Sequence, residues 1–313
     1  MANKNLSAAK KAKNDEFYTQ LFDIENEVKH YKSFFEGKVV YLNCDDPEWS
    51  NFWKFFELNF VEYKLKRLVS THYEVDKPSY MLEIIGDQNN DGKIDANDII
   101  KTPLQQNGDF RSPESIELLK QCDVVVTNPP FSLFREYVAQ LIEYQKYFLI
   151  LGNNNAVTYK EIFPLIKDNK MWLGYSSNKT IEFEVPEGYK YSREENGKKY
   201  GKVPAITWYT NIPTTKRSEK LILGKRYKPE DYPKYDNYDA IEVSKVVDIP
   251  VDYEGVMGVP ITFLDKYCPE QFEIVGNEYS ENIDKGRVYV NGNRMYSRIL
   301  IKKKDNENRE KTD

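Results

Sequence analysis

Residues 123–134 read DVVVTNPPFSLF, and the fold turns on how this stretch is parsed. Three valines have the length and character of a buried strand, and Asn128 stops it. Pro129 and Pro130 fix φ and donate no backbone hydrogen bond, so they extend neither the strand before them nor the helix after them. The result is a stiff turn carrying one amide and one aromatic ring. Open α/β sheets bind ligands at the carboxyl ends of their strands, so this turn is where chemistry is expected.

Outward from it, strands and helices alternate. KVVYLNCDD (38–46) reads as a buried strand ending in polar residues, and PEWSNFWKFFELNF (47–60) as an amphipathic helix. LKRLVSTHYE (65–74) gives a second strand, and FREYVAQLIEYQK (134–146) a helix with Tyr137, Val138, Leu141 and Ile142 on its apolar side. YFLILGNN (147–154), MWLGYSS (171–177) and AITWYTNI (205–212) are further strands, and VTYKEIFPLIKDN (157–169) is a helix in which Pro164 marks a kink. DEFYTQ (15–20) leads into a helix running to Tyr31. In GDFRSPESIELLK (108–120) a strand end is followed by a helix that starts at Ser112-Pro113-Glu114. This order calls for a doubly wound, mainly parallel α/β sheet. The strand ends that carry ligand chemistry are Asn43-Cys44-Asp45-Asp46, Gly108-Asp109-Phe110, Asn128-Pro129-Pro130-Phe131 and Gly152-Asn153.

After Pro213 the alternation is lost and KRYKPEDYPKYDNYDAIEV (225–243) is rich in Tyr, Pro and Lys, so two domains are expected, 1–213 and 214–313. RVYVNGNRMYSRILI (287–301) signals a hairpin turning at Asn291-Gly292. A turn-rich hairpin is inserted at about 76–105.

With 313 residues and a net charge of −5, the surface as a whole is not suited to coating nucleic acid. Local basic clusters occur at Lys10, Lys11 and Lys13 and between Arg287 and Lys304. Three scattered cysteines give neither a disulfide framework nor a zinc spacing. The first residues are polar and charged and no apolar run reaches membrane-spanning length, so a cytoplasmic monomer is expected. Glycine-rich phosphate loops and serine hydrolase elbows are missing, and two histidines are too few for most metal hydrolase sites.

DQNNDGKIDAND (87–98) does fit a calcium loop, with Asp87, Asn89, Asp91, Asp95 and Asp98 at ligand spacing and Gly92 at the turn. Its twelfth residue is Asp where a bidentate Glu is usual, and the segment before it is strand-like. The competing reading is a turn-rich hairpin, and no other metal site is expected.

The chemistry of the NPPF turn follows from its groups. An exocyclic amine on a nucleobase is a poor nucleophile because its lone pair is delocalised into the ring. Acceptors at Asn128 Oδ1 and the Pro129 carbonyl would take both its N–H bonds and draw the nitrogen toward tetrahedral geometry. Phe131 offers a stacking face for the base, and a stiff Pro-Pro turn keeps the acceptors preorganised.

VVVTNPPFSLF resembles the catalytic motif of amino-group methyltransferases that use S-adenosylmethionine. Together with DEFYTQ, YLNCDDP, GDFRSPESIELLK, KYDNYDAIEV and GVMGVPITFLDKY it is similar, nearly end to end, to the EcoRI-type adenine-specific DNA methyltransferase family. The resemblance implies a Rossmann-like methyltransferase domain with a C-terminal DNA-recognition region. It also implies methyl transfer from S-adenosylmethionine to N6 of an adenine flipped from double-stranded DNA, within a restriction–modification system. Asn128, Pro129, Pro130 and Phe131 would form the catalytic turn. Phe17, Tyr18, Thr19 and Gln20 would line the methionine side of the cofactor site, Cys44, Asp45 and Asp46 would lie beside the cofactor, and Asp109 and Phe110 would hold its adenine. Glu74 is the acidic candidate for the ribose. In place of the superfamily's glycine-rich FxGxG stands NCDDP. Arg287, Arg294 and Arg298 are the expected DNA contacts. An RNA or protein-glutamine methyltransferase with the same motif, and a calcium-dependent interaction module, are the alternatives.

Overall fold

The computed structural model describes residues 18–75, 77–177, 179–185, 191–279 and 287–304. Phe17 and the lysines at 10, 11 and 13 lie outside them. The chain divides into two compact units, one of residues 1–156 and 173–212, the other of 157–172 and 213–313.

The first unit is built on an eleven-stranded sheet. In chain order its strands are β1 (Tyr18–Thr19), β2 (Val39–Leu42), β3 (Arg67–Thr71), β4 (Tyr80–Ile84), β5 (Ile100–Pro103), β6 (Val124–Thr127), β7 (Tyr147–Asn153), β8 (Trp172–Leu173), β9 (Lys179–Glu184), β10 (Arg193–Glu195) and β11 (Lys198–Thr210). They run β1-β9-β11-β7-β6-β2-β3-β4-β5, with β8 and β10 also paired to β11. Parallel pairing joins the central strands β3, β2, β6 and β7. β4 and β5 extend one side as an antiparallel hairpin, and β11, β9 and β1 extend the other, also antiparallel.

Every residue of β2 and β6 is buried, as expected of strands covered on both faces. Val40, Leu42, Leu68, Val124, Val126, Leu149 and Leu151 join a core with Ile24, Val28, Phe52 and Phe56 from the helices Leu21–Val28 and Asn51–Leu58. The alternate positions Tyr41, Val69, Val125, Phe148 and Ile150 are buried on the opposite face. The helix Asn51–Leu58 carries β2 to β3 and the helix Phe134–Glu143 carries β6 to β7. The winding therefore runs in opposite directions from β2 and from β6. The gap between their carboxyl ends is the topological switch point.

Several local expectations are revised. DEFYTQ leads, as expected, into the helix Leu21–Val28, which continues as a 3-10 turn to Tyr31, but Tyr18 and Thr19 before it pair with Glu184 and Phe183 of β9 as an edge strand. Gly108-Asp109-Phe110 lies in a loop after β5 rather than at a strand end, since Gly108 takes φ +78°. Pro164 sits in the first turn of the helix Phe163–Lys167 and starts it instead of kinking it.

The second unit holds a four-stranded sheet of β12 (Ile241–Glu242), β13 (Met257–Pro260), β14 (Phe272–Asn277) and β17 (Arg298–Lys303), ordered β12-β13-β17-β14. The expected C-terminal hairpin is only half of what forms. Asn291 and Gly292, both at positive φ, turn β15 (Tyr289–Val290) back onto β16 (Asn293–Arg294). Arg298–Lys303 instead pairs with β13 and β14.

Glu27 fastens the first unit internally. It is fully buried, and its carboxylate accepts from Tyr31 Oη (2.9 Å), Tyr175 N (2.7 Å) and Ser176 N (2.6 Å). A Cβ at Gly174 would stand 2.2 Å from Glu27 Oε1, so only glycine lets the strand pass. Glu27→Ala leaves these donors buried and unsatisfied, and is expected to lower unfolding free energy by about 3 kcal/mol in a denaturant titration.

Candidate active site

Asp45, at the end of β2, reaches across the switch point. Its Oδ2 accepts from Thr127 Oγ1 at the end of β6 and from the Asn128 backbone N–H (3.3 Å), and its Oδ1 from Ser50 Oγ (3.1 Å). Ser70 Oγ of β3 donates to the carbonyls of Asp45 (2.9 Å) and Leu42 (3.1 Å). Three adjacent strand ends are thus tied together beneath the NPPF turn. Beside them the buried Tyr137 hydroxyl donates to Asn43 Oδ1. Burial, with the thiol of Cys44 and the carboxylate of Asp45 nearby, holds that phenol well above its ordinary pKa, as a neutral donor.

Above these ends lies a cavity of about 450 Å³, within the range of small-molecule sites. Asn43, Cys44, Asp45 and Asp46 wall it from the segment after β2, Thr71, Tyr73 and Val75 from the end of β3 and the segment after it, and Gly108, Asp109, Phe110 and Arg111 from the loop after β5. Pro130, Ser132 and Leu133 close it from the NPPF side. Gly108 is required here for a second reason: a Cβ would fall 1.9 Å from the His72 carbonyl oxygen. His72 lies between Asp46 (Nδ1 to Oδ2, 2.9 Å) and Glu74 (Nε2 to Oε1, 3.2 Å) and stacks on Tyr80.

Arg111 grips Asp109 through Nε (2.8 Å) and Nη2 (2.7 Å). That bidentate pair holds the Asp109 carboxyl below the usual carboxylate range. The Phe110 ring is buried and meets Tyr137 edge-on at 5.1 Å.

The family model for the adenine-specific methyltransferase EcoRI matches residues 5–311. The chain belongs to this family. It is an adenine-specific DNA methyltransferase. It is 48% identical to the type II methyltransferase M.EcoRI of Escherichia coli, over 96% of this chain and 97% of that protein. It is 43% identical to M.MpnI of Mycoplasma pneumoniae (95% and 98% covered) and 41% identical to M.MgeORF184P of Mycoplasma genitalium (96% and 98%). No solved structure matches.

In this methyltransferase the cavity brings together Cys44, Asp45, Asp46, Asp109, Phe110 and Pro130 from segments far apart in sequence. Asn128 (7% exposed) and Pro129 are buried beside it and do not line it, and Phe131 packs against the core. Thr19 is buried with its carbonyl on Asn51 Nδ2 (2.7 Å); neither it nor Gln20 lines the cavity. The Tyr18 backbone pairs in β1. Glu74 does not line it either, although Tyr73 and Val75 on each side of it do. Thr71, Tyr73, Val75, Arg111, Ser132 and Leu133 line the cavity without any motif in the sequence to mark them.

Arg298 needs the clearest correction as a DNA contact. It is 8% exposed and donates to Glu242 through Nε (2.9 Å) and Nη2 (2.6 Å), so its charge is spent inside the second unit. Arg287 lies over the Tyr279 ring and 3.7 Å from Glu278, whereas Arg294 is exposed. In the 87–98 loop the carboxylates cap local backbone. Asp98, fully buried, accepts from Gln88 N and Asp95 N, and Asp87 accepts from Gly92 N. Among the described residues no group of three or more His, Cys, Asp or Glu forms a metal cluster, and no helix is long and apolar enough to cross a membrane.

The lowered Asp109 carboxyl has a pH signature. It contributes stability in full above the unfolded-chain value of about 3.9, and loses that contribution as pH falls through its lower folded value. Asp109→Asn is expected to lower the denaturation midpoint at neutral pH, by a difference from wild type that narrows only below about pH 4.

Proposed function

We propose that the cavity at the switch point binds S-adenosylmethionine and that the Asn128-Pro129-Pro130-Phe131 turn receives an adenine swung out of duplex DNA. The observation that carries this reading is the Asp45 bridge, which joins a wall of the cavity to the backbone of the turn.

The lining suits that donor. Phe110, Val75 and Leu133 offer apolar surface for an adenine ring, while Asp45, Asp46 and Asp109 supply carboxylates for ribose hydroxyls and a cationic tail. Cys44 stands among them, and Thr19 and Gln20, with Phe17 and Tyr18, are assigned to the methionine end by family resemblance alone. S-adenosylmethionine supplies an electrophilic methyl group. The protein's own part is to hold the amine. Asn128 Oδ1 and the Pro129 carbonyl accept its two N–H bonds and localise the nitrogen lone pair, and the surplus proton leaves once the nitrogen is cationic. Because the Asn128 N–H is fixed on Asp45, the acceptor need not reorganise as charge develops. Phe131 stacks on the flipped base. With Asn128 only 7% exposed, the base must displace part of the cover over the turn, which keeps water out until DNA is engaged.

The second unit is assigned to DNA recognition, with exposed Arg294 and partly exposed Arg287 as contacts. The relatives carry type II methyltransferase names, so the chain is assigned to a restriction–modification system. Sequencing methylated adenines in DNA from cells expressing it reads out the target site.

Asn128→Ala is expected to cut methyl transfer to duplex DNA by about a hundredfold or more, while DNA affinity measured by anisotropy stays within about threefold, a change of under about 1 kcal/mol. Turnover near the wild-type rate would remove Asn128 from the role assigned to it.

A further inference from the structure

In the second unit, Arg217 is a cation without a counter-charge. Its guanidinium lies 4.2 Å from the Trp172 ring and 5.7 Å from the Tyr267 ring. Nη2 donates to Asn169 Oδ1, while Nε is buried with no acceptor. The Trp172 indole Nε1 is likewise buried without an acceptor. No carboxylate lies within ion-pair distance of Arg217 among the described residues, although its neighbour Lys216 pairs with Asp265 at 2.5 Å. Burial holds the guanidinium below its ordinary pKa.

Such an arrangement is costly. A desolvated cation is retained where an anion completes it, and Arg298 shows how this same unit treats an arginine that is purely structural, with a buried glutamate held bidentate. Arg217 is fixed on aromatic faces, with its Nη2 on the exposed side chain of Asn169 and exposed Lys170 next in the chain. An arginine made rigid by stacking and left short of acceptors matches a phosphate diester.

We propose that Arg217 is a DNA-phosphate site, with Trp172 and Tyr267 as its platform. This rests on the reading of the chain's substrate as duplex DNA, and assigns that contact to residues for which sequence spacing gave no sign. A phosphate contact positions the duplex without reading its bases.

Arg217→Leu separates this role from a structural one, because leucine keeps an apolar cover over Trp172 and removes the uncompensated charge. The expected result is a Tm equal to or above wild type, together with about tenfold weaker binding to duplex DNA at moderate salt. The slope of log affinity against log salt should flatten by about 0.9. A lowered Tm with an unchanged salt slope would show that Arg217 only braces Asn169, Trp172 and Tyr267, and the proposal falls. Wild-type methylation of the same duplex, run alongside, tells the two readings apart: if it is absent the substrate assignment fails, and if it is present with an unaltered slope in the variant this inference alone fails.

Discussion

One carboxylate holds the site together. Asp45 takes hydrogen bonds from the end of β6, from the first amide of the NPPF turn and from the cap of the next helix, while its own carbonyl is held by β3. Parallel strands that wind away from a switch point leave a cleft by geometry alone. Geometry alone does not keep its two lips in register, and a carboxylate with several donors converging on it does. A proline-rich turn is stiff within itself, but its position relative to a bound methyl donor depends on this bridge.

Glu27 and Glu242 show the same economy elsewhere. Each is buried, and each joins a local donor to a distant one: Tyr31 with the 175–176 backbone for Glu27, Tyr235 with Arg298 for Glu242. A buried charge becomes tolerable when its lone pairs are filled, and it then specifies which segments meet. Arg217 stands apart because it is half-buried, with a buried Nε that has no acceptor.

How much of this was legible in sequence depended on the range of the interaction. β2 and β6 could be read because strands buried on both faces are apolar runs with polar ends. The helix after Phe110 could be read from Ser112, whose Oγ accepts from Ser115 N, followed by Pro113. The direction of β11 against β7 could not, since an apolar run carries no mark of its partner. The buried fate of Arg298 was hidden as well, because Glu242 lies 56 residues away and an arginine in a basic stretch just after Tyr296 reads equally well as a groove contact. At the site, the NPPF turn announced itself through local stiffness. Thr71, Tyr73 and Val75 did not, being unremarkable residues made important only by their place at and just beyond the end of β3.

The assignment of residues 157–172 to the second unit carries a consequence for biosynthesis. The polypeptide passes from one unit to the other after Ala156, returns at Leu173 and leaves again after Ile212. During translation those sixteen residues emerge well before the rest of their own unit, and β9 and β11 of the large sheet are made in between. No single cut separates the units into two continuous pieces, and circular permutation does not help, because the segments of the two units alternate wherever the chain is opened.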